Sequence, residues 1–439
     1  MYLKVNQKEC LEARENASFV EIGSNRFPYA RTMRNLRNSL ARKLLLLLAM
    51  YLPHTVLAQN AFISPEIKPY VEFIKNTNTS PVDYIMGLFE KFDVVVIGER
   101  DHRDTTQYIL IQKIISDPRF IEKVGNVLTE VGVYNMRYEL NRVLQADYQN
   151  NSDFEKALAE VNFNLQWVPL WEKTNYIQLQ RDIYNVNKNL PAHQRISMYP
   201  TDIQFSWELN HTTANHQSFR KALQYRDFVM GHNAIDALYK IFAEPRKKAL
   251  VIYNIPHSAK FHEDTEGFNH FAYQIIYDHF PGRVANVALN WCILPGFNKP
   301  YAGLTNEGKW DAAFAAVGNK SIGFDLAGTI FGDDIFDLHP FAERHAYKDV
   351  FHGFIFYKPA SEWVASIGVP IFRHLDRSYV RNELARRFQI FQGIPELPEE
   401  FKDQLYEYAI TLNIFNIAES QEGLLQLFNS QIEQWYKPN

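Results

Sequence analysis

The segment VVVIGERDH, residues 94–102, indicates the fold class and also contains the first residues that suggest chemistry. Its leading residues, Val94–Ile97, are apolar and β-branched without a polar interruption, which is typical of a strand buried on both faces of a parallel sheet. Gly98 then permits a tight turn, because glycine adopts backbone conformations closed to other residues. Glu99 and His102 follow at the point where such a strand ends.

Six more short apolar runs share this pattern and have polar or turn residues on both sides. They are Val127–Thr129, Ile196–Tyr199, Ala249–Tyr253, Val284–Leu289, Ile322–Phe324 and Phe354–Tyr357. Stretches with helical character lie between them, at Thr105–Ile115, Phe154–Val161, Asn175–Leu190, Ser218–Phe242 and Asn382–Phe391. This alternation predicts an α/β fold with a mainly parallel β-sheet flanked by helices.

The spacing of the runs is uneven. Roughly 65 residues separate the second run from the third and roughly 50 separate the third from the fourth, far more than a strand–helix–strand crossover needs. We therefore expect helical insertions at about 134–190 and 205–245 that form a cap over the C-terminal ends of the strands. The final stretch, Glu396–Asn439, is also predicted to be helical. With no flexible linker in the sequence, residues 59–439 are interpreted as a single hydrolase-like catalytic domain of the α/β class.

Residues 1–58 differ from the rest in charge and pattern. They hold nine Lys and Arg against four Asp and Glu, in a chain whose net charge is −4. A basic cluster, the apolar run Leu44–Leu52 and Val56-Leu57-Ala58 follow one another in the order of a secretory signal, which we place at about 31–58. A buried helix start is the alternative. A signal predicts a periplasmic or secreted protein with no stable membrane anchor after signal removal.

Composition limits the classes of partner and of stabilisation. The chain has 46 basic and 50 acidic residues, so nothing favours a nucleic-acid partner, which usually needs a basic patch. Removal of the signal would leave Cys292 as a single cysteine, and the fold would then depend on core packing rather than on disulfides. Hydrophobic residues make up 46% of the chain, enough for a large core.

Polar residues collect directly after four of the predicted strands. In an open parallel sheet, ligands bind beyond the carboxyl ends of the strands, so these residues are expected to share one cleft. The candidates for catalysis are Glu99, His102, Glu130 and His257, and the candidates for substrate binding at the same edge are Asp202 and Asn254.

Glu99-x-x-His102 is the sharpest of these patterns. Glu99 can orient the imidazole of His102, which can then act as a general base near neutral pH. The same two residues can instead serve as metal ligands. A surface ion network through the neighbouring charged residues 100–104 is the third interpretation.

The predicted helix Ser218–Phe242 supplies two further candidates. Arg226, Met230 and Asn233 are spaced i, i+4 and i+7 and so share one helix face. Arg226 would bind an oxyanion or carboxylate of the substrate, and Asn233 would line the same pocket. A surface pair between Arg226 and Asp227 is the simpler alternative.

Taken in order, Gly98-Glu99-x-x-His102, Glu130, Asp202, Arg226-Asp227-x-x-Met230-x-x-Asn233 and an apolar strand that leads to His257 resemble the erythromycin-esterase-like family. That family belongs to a wider group with the ChaN-like haem-uptake lipoproteins and the Tiki metalloproteases. The resemblance covers roughly residues 92–290. It departs from the family pattern at Arg103, where a glycine is usual, and at Asn254, where a second histidine is usual.

The resemblance implies a hydrolase in which His102 activates water without a metal and Glu99 supports it. Glu130 and His257 would complete the cleft, and Arg226 would help to hold a small-molecule substrate with an ester or related acyl bond. Two alternatives follow from the wider group: a haem or small-ligand binding protein, and a hydrolase that depends on a divalent metal. We predict no cofactor, with a divalent metal as the open possibility.

Overall fold

The computed structural model describes residues 62–170, 174–260, 271–294, 303–337 and 345–438. These residues belong to one compact unit, Asn60–Asn439. The predicted signal at about 31–58 lies outside the described residues. Within the described ranges, no helix is both long and apolar enough to cross a membrane.

A central sheet of seven strands organises the described part of the chain. Its strands are β1 Val94–Glu99, β2 Asn126–Val133, β3 Ser197–Asp202, β4 Ala249–Asn254, β5 Val284–Leu289, β6 Ile322–Asp325 and β7 Gly353–Phe356. Their order is β3-β2-β4-β1-β5-β7-β6. Every neighbouring pair is parallel except β7 and β6, which are antiparallel. All seven apolar runs of the sequence overlap these strands, with Ile196 and Tyr357 one residue outside, and the mainly parallel α/β prediction is confirmed.

The centre of the sheet is inaccessible to water. Val94–Ile97 of β1 are 0% exposed, with alternate side chains in hydrophobic clusters on opposite faces of the sheet. A run of valine and isoleucine suits this position, because β-branched side chains pack well on a pleated surface. The parallel register pairs Glu99 with Asn254, so β1 and β4 end side by side.

Helices flank the sheet on both faces. Those of the described residues are α1 Lys68–Asn76, α2 Pro81–Leu88, α3 Thr105–Ile115, α4 Pro118–Lys123, α5 Arg137–Leu144, α6 Asn151–Asn164, α7 Thr174–Asn187, α8 Thr213–Ala222, α9 Arg226–Phe242, α10 Ile255–Ser258, α11 Ala272–His279, α12 Lys309–Ala315, α13 Ile330–Asp333, α14 Tyr347–Val350, α15 Arg377–Gln392, α16 Glu399–Ile410 and α17 Leu424–Trp435. Short 3-10 turns occupy Pro65–Ile67, Tyr134–Met136, Ala192–Gln194, Leu223–Tyr225, Thr305–Gly308, Ala360–Glu362 and Pro370–His374.

Two helix predictions need correction. The stretch Ser218–Phe242 is not one helix, since α8 ends at Ala222, a 3-10 turn follows, and α9 begins at Arg226. Arg226 is therefore the first residue of its helix, where it is close to the strand ends. The stretch Glu396–Asn439 contains α16 and α17, but Asn413–Asn416 pairs with Val364–Ile367 and Tyr436–Lys437 pairs with Phe62–Ile63 as short strands. A third short pair joins Cys292–Ile293 and Gly303–Leu304.

Gly98 serves a different purpose from the expected turn. It lies inside β1, and a Cβ at this position would be 2.6 Å from Ser258 Oγ and 3.2 Å from Ile255 Cγ1. The absence of a side chain therefore lets the single-turn helix α10 approach the end of β1. Because α10 carries His257, this contact helps to bring the second candidate histidine close to the end of β1, where Glu99 lies.

Candidate active site

The imidazole of His102 is held from one side by Glu99. Glu99 is the last residue of β1, is 0% exposed, and accepts a hydrogen bond from His102 Nδ1 through Oε1. Because a carboxylate only accepts, Nδ1 carries the proton and Nε2 points away from Glu99. The side chain of His102 is 15% exposed, so its outer edge can be reached from solvent.

Glu130 of β2 is the meeting point of the site. Its Oε1 lies 3.5 Å from His102 Nε2, 3.3 Å from His257 Nε2 and 3.1 Å from Arg226 Nη2. Its Oε2 accepts the backbone N–H of Asn254 at 2.9 Å, which joins the ends of β2 and β4. Burial would raise the pKa of Glu130, but His257, His102 and Arg226 outweigh it and hold that pKa well below its usual range.

His257 is oriented in the same way as His102, by a carboxylate at Nδ1. It lies in α10 just beyond β4, and its Nδ1 donates to Asp227 Oδ1 at 2.7 Å. Asp227 also accepts the backbone N–H of Ala272, the first residue of α11, at 3.1 Å. The side chain of His257 is 19% exposed. Its Nε2 faces Glu130, so the two imidazoles approach one carboxylate from segments that follow different strands.

The charges around the imidazoles favour their protonated forms. Burial alone would lower the pKa of His257, but Asp227 and Glu130 outweigh it and raise that pKa to about 10. Burial likewise opposes the charge on His102, while Glu99 and Glu130 raise its pKa well above the ordinary value. The carboxylates around Glu130 therefore favour the imidazolium form of both residues.

Arg226 is tied to two carboxylates. Its Nε and Nη2 donate to the two oxygens of Asp202 at 2.7 and 3.0 Å, and Nη2 also reaches Glu130. Asp202, the last residue of β3, accepts a further hydrogen bond from Trp167 Nε1 at 3.0 Å. Asp202 and Glu130 raise the pKa of Arg226 against the effect of burial, so the guanidinium is a permanent charge. This geometry links the ends of β2 and β3 to α9.

The two asparagine candidates contact main chain rather than the imidazoles. Asn233 donates through Nδ2 to the carbonyls of Thr201 and Asp202, at 2.9 and 3.2 Å. Asn254 donates through Nδ2 to the carbonyl of Arg100. Both amides thus fix the backbone at strand ends on which candidate catalytic side chains are mounted.

The charged residues that follow Glu99 do not form the surface network that was one interpretation of the motif. Arg100 and Asp104 are 1% and 0% exposed, and they pair at 2.7 Å inside the protein. The Arg100 guanidinium also lies 4.2 Å from the ring centre of Trp363. Only the pair of Arg103 and Asp101, at 2.7 Å, is partly exposed.

Three residues that contact the site were not among the site residues predicted from the sequence. Tyr108 of α3 and Tyr176 of α7 donate to Glu99 at 2.7 and 2.6 Å. Asp227 entered as a possible surface partner of Arg226 and as a member of the motif that carries the resemblance, without a role of its own, whereas it orients His257. Helical periodicity assigns the tyrosines to apolar faces without showing that their hydroxyls meet a carboxylate, so only tertiary structure reveals this contact.

The chemistry of the cluster also fits a divalent cation. Glu99, His102 and Glu130 each offer a ligand atom, and these atoms lie within 4.8 Å of one another. Carboxylate and imidazole ligands suit several divalent metals. Against this fit, Glu130 Oε1 is close to the Arg226 guanidinium, and Glu99 is already engaged by His102 and two tyrosines.

No protein-family model matches this chain, and no curated protein matches it either. Three solved structures are similar at low identity. A Bacillus cereus protein is 10% identical, with a TM-score of 0.44 over 66% of this chain and 97% of that one. A succinoglycan biosynthesis protein is 11% identical, with a TM-score of 0.39 over 68% and 94%. The type III effector HopBA1 is 14% identical, with a TM-score of 0.31 over 51% and 89%. None of these similarities carries information on function.

Proposed function

We propose that this protein is a secreted or periplasmic hydrolase of the erythromycin-esterase-like type, which cleaves an ester or related acyl bond in a small-molecule substrate. One observation carries the proposal: Glu130 Oε1 lies within 3.5 Å of the Nε2 atoms of both His102 and His257. Two imidazoles that follow different strands, each with its Nδ1 on a carboxylate, form an arrangement suited to acid–base chemistry.

His102 is the candidate base. Its Nδ1 is held by Glu99, so proton exchange takes place at Nε2, on the partly exposed side. In its neutral form, His102 Nε2 takes a proton from water, and the oxygen of that water attacks the acyl carbon. The carbon–oxygen bond to the leaving group then breaks, and the proton on His102 Nε2 is passed to the leaving alkoxide.

His257 is the candidate oxyanion stabiliser. Asp227 and Glu130 raise its pKa to about 10, so it is positive at neutral pH. A preorganised positive donor is worth most where water is excluded, because the charge of the tetrahedral intermediate is then poorly solvated. Arg226 adds a second positive charge next to Glu130 and keeps the carboxylate from repelling the oxyanion.

A panel of small esters, offered to the full chain, tests the proposal. We expect turnover of at least one ester, and a loss of about 10²-fold to 10⁴-fold in His102→Gln. His352→Gln is the matched control, because His352 is also partly exposed and faces a carboxylate, Asp325, at 3.5 Å outside the site. Turnover that His102→Gln leaves intact on every hydrolysed ester would contradict the proposal.

A divalent-metal-dependent hydrolase is the second candidate, favoured by the ligand atoms of Glu99, His102 and Glu130 within 4.8 Å. These residues would hold the ion, which would supply an activated water. Metal content after purification and activity in chelator separate the two candidates. Activity that persists in excess chelator supports the metal-free form, and activity restored only by added metal supports the second.

A further inference from the structure

Both oxygens of the Glu99 carboxylate are enclosed by phenol groups. Tyr176 donates to Oε1 at 2.6 Å and Tyr108 donates to Oε2 at 2.7 Å, while His102 Nδ1 donates to Oε1. The carboxylate is 0% exposed. Neither tyrosine takes part in the proposed hydrolysis, yet both donate to the carboxylate that orients His102.

The two tyrosines pack against each other and against His102. Their rings meet edge to face with centres 5.5 Å apart, and the ring of Tyr176 packs in the same way against the imidazole of His102 at 5.8 Å. Tyr108 is 4% exposed and Tyr176 is 1% exposed. Burial and the charge of Glu99 raise the pKa of both phenols, so both hydroxyls remain donors across the working pH range.

We infer that Tyr108 and Tyr176 are positioning residues that fix the Glu99 carboxylate as the partner of His102 Nδ1 and prevent it from serving as a cation ligand. The catalytic consequence of this inference rests on the proposed function, but the state of His102 in the free protein does not.

Counting hydrogen-bond positions supports the inference. A carboxylate has about four acceptor positions, and three of those of Glu99 are taken by His102, Tyr108 and Tyr176. A cation bound to Glu99 would compete with these donors and leave a buried phenol without its acceptor, which is unfavourable. The same donors pin the proton of His102 to Nδ1, so Nε2 is the nitrogen left to face Glu130. Partners of this kind around an imidazole fix its tautomer and ring orientation.

The histidine spectrum of the free protein tests the inference without a substrate. The full chain is labelled with ¹⁵N-histidine, and His102 is assigned from the signal that disappears in His102→Gln. In the unaltered protein we expect a protonated Nδ1 with a far-downfield proton. In the double variant Tyr108→Phe/Tyr176→Phe that proton is expected to move upfield. Tyr84→Phe is the control, since it removes a buried phenol that donates to another carboxylate, Asp325, at 2.8 Å.

Two further measurements separate positioning from a general structural role. With an ester that is hydrolysed, the double variant is expected to lose about 10-fold to 100-fold in kcat with little change in KM. With Zn²⁺ as the probe, Glu99→Gln is expected to take up as much as the unaltered protein, while Glu130→Gln takes up less. An unaltered protein that takes up no Zn²⁺ also agrees with a Glu99 that is not a ligand.

The outcomes distinguish this inference from the proposed function. An unchanged His102 Nδ1 signal in the double variant would overturn the inference, whatever the activity. Loss of Zn²⁺ uptake in Glu99→Gln but not in Glu130→Gln would overturn the claim that the tyrosines prevent Glu99 from serving as a cation ligand. A signal that responds as expected in a protein that hydrolyses no ester would support the positioning role and count against the hydrolase.

Discussion

Asp227→Asn tests whether a carboxylate on α9 sets the charge of the second imidazole. Asp227 Oδ1 lies 2.7 Å from His257 Nδ1, and the pKa of His257 is raised to about 10 from the ordinary value of 6.5. Asparagine keeps the shape and an acceptor oxygen but removes the charge. We therefore expect His257 to remain in place and to lose its proton at a lower pH.

The magnitude follows from the distance and the exposure. Two charges about 4 Å apart interact by about 4 kcal/mol at an effective dielectric constant of about 20, and each pH unit corresponds to about 1.36 kcal/mol. The His257 side chain is 19% exposed, and solvent reduces the interaction. His257 in Asp227→Asn should therefore titrate about two pH units lower than in the unaltered protein, with Glu130 providing the rest of its elevation.

The same change alters the pH dependence of stability. Because the folded pKa of His257 lies above the unfolded value, the stability it contributes is complete below pH 6.5 and is lost as the pH rises through about 10. In Asp227→Asn this loss should be smaller and should occur at lower pH. Urea unfolding at pH 6, 8 and 10 measures this change.

The direct assay is an NMR titration of ¹⁵N-labelled histidines, with His257 assigned from the signal missing in His257→Gln. Asp236→Asn is the matched control, because Asp236 lies on the same helix and pairs with Lys240 at the surface at 2.8 Å. A His257 that titrates at the same pH in Asp227→Asn and in the control would refute the electrostatic reasoning for this site.

Three further predictions follow from the same contacts. Ester turnover should rise with pH, because Glu99 and Glu130 raise the pKa of His102 and the base must lose this proton before it can act; a pH–rate profile of kcat/KM checks this, and a profile that is flat from pH 6 upward would contradict it. Gly98→Ala should destabilise the fold by about 1–3 kcal/mol in urea unfolding, because the new Cβ meets Ser258 Oγ at 2.6 Å, and an equally stable variant would contradict the close packing of α10 on β1. Glu130→Gln should cost about 3–5 kcal/mol at pH 7 by leaving buried cations without their shared carboxylate. Because the pKa of Glu130 in the folded protein is well below its ordinary value of 4.5, the cost should shrink as the pH falls below 4.5 and should vanish once the pH passes below the folded pKa. A destabilisation by Glu130→Gln that persists in acid would refute this prediction.

The sheet was predictable because its signal is local. Val94–Ile97 and the other apolar runs are uninterrupted, and strands buried on both faces need no partner to be recognised in sequence. The alignment of Glu99, Glu130, Asp202 and His257 along one edge then follows from the rule that parallel strands end on the same side. The structure does place these four side chains in one connected set of contacts.

The rest depends on tertiary contacts that periodicity does not encode. The break between α8 and α9 lies in a helix-forming stretch, and it matters because it makes Arg226 the first residue of α9. Asn413–Asn416 is a strand rather than a helix because it pairs with Val364–Ile367, a segment that is remote in sequence. The hydroxyl of Tyr176 reaches Glu99 from α7, in the first predicted insertion, 77 positions along the chain.

A double-mutant cycle on His102 and His257 tests most directly whether the two imidazoles act together at Glu130. It compares kcat for the best ester of the panel in His102→Gln, His257→Gln and the double variant. If the two residues work on one reaction as a unit, the double variant should be about as impaired as the more damaged single variant. Losses that multiply, or a His102→Gln variant that retains full turnover, would contradict the account.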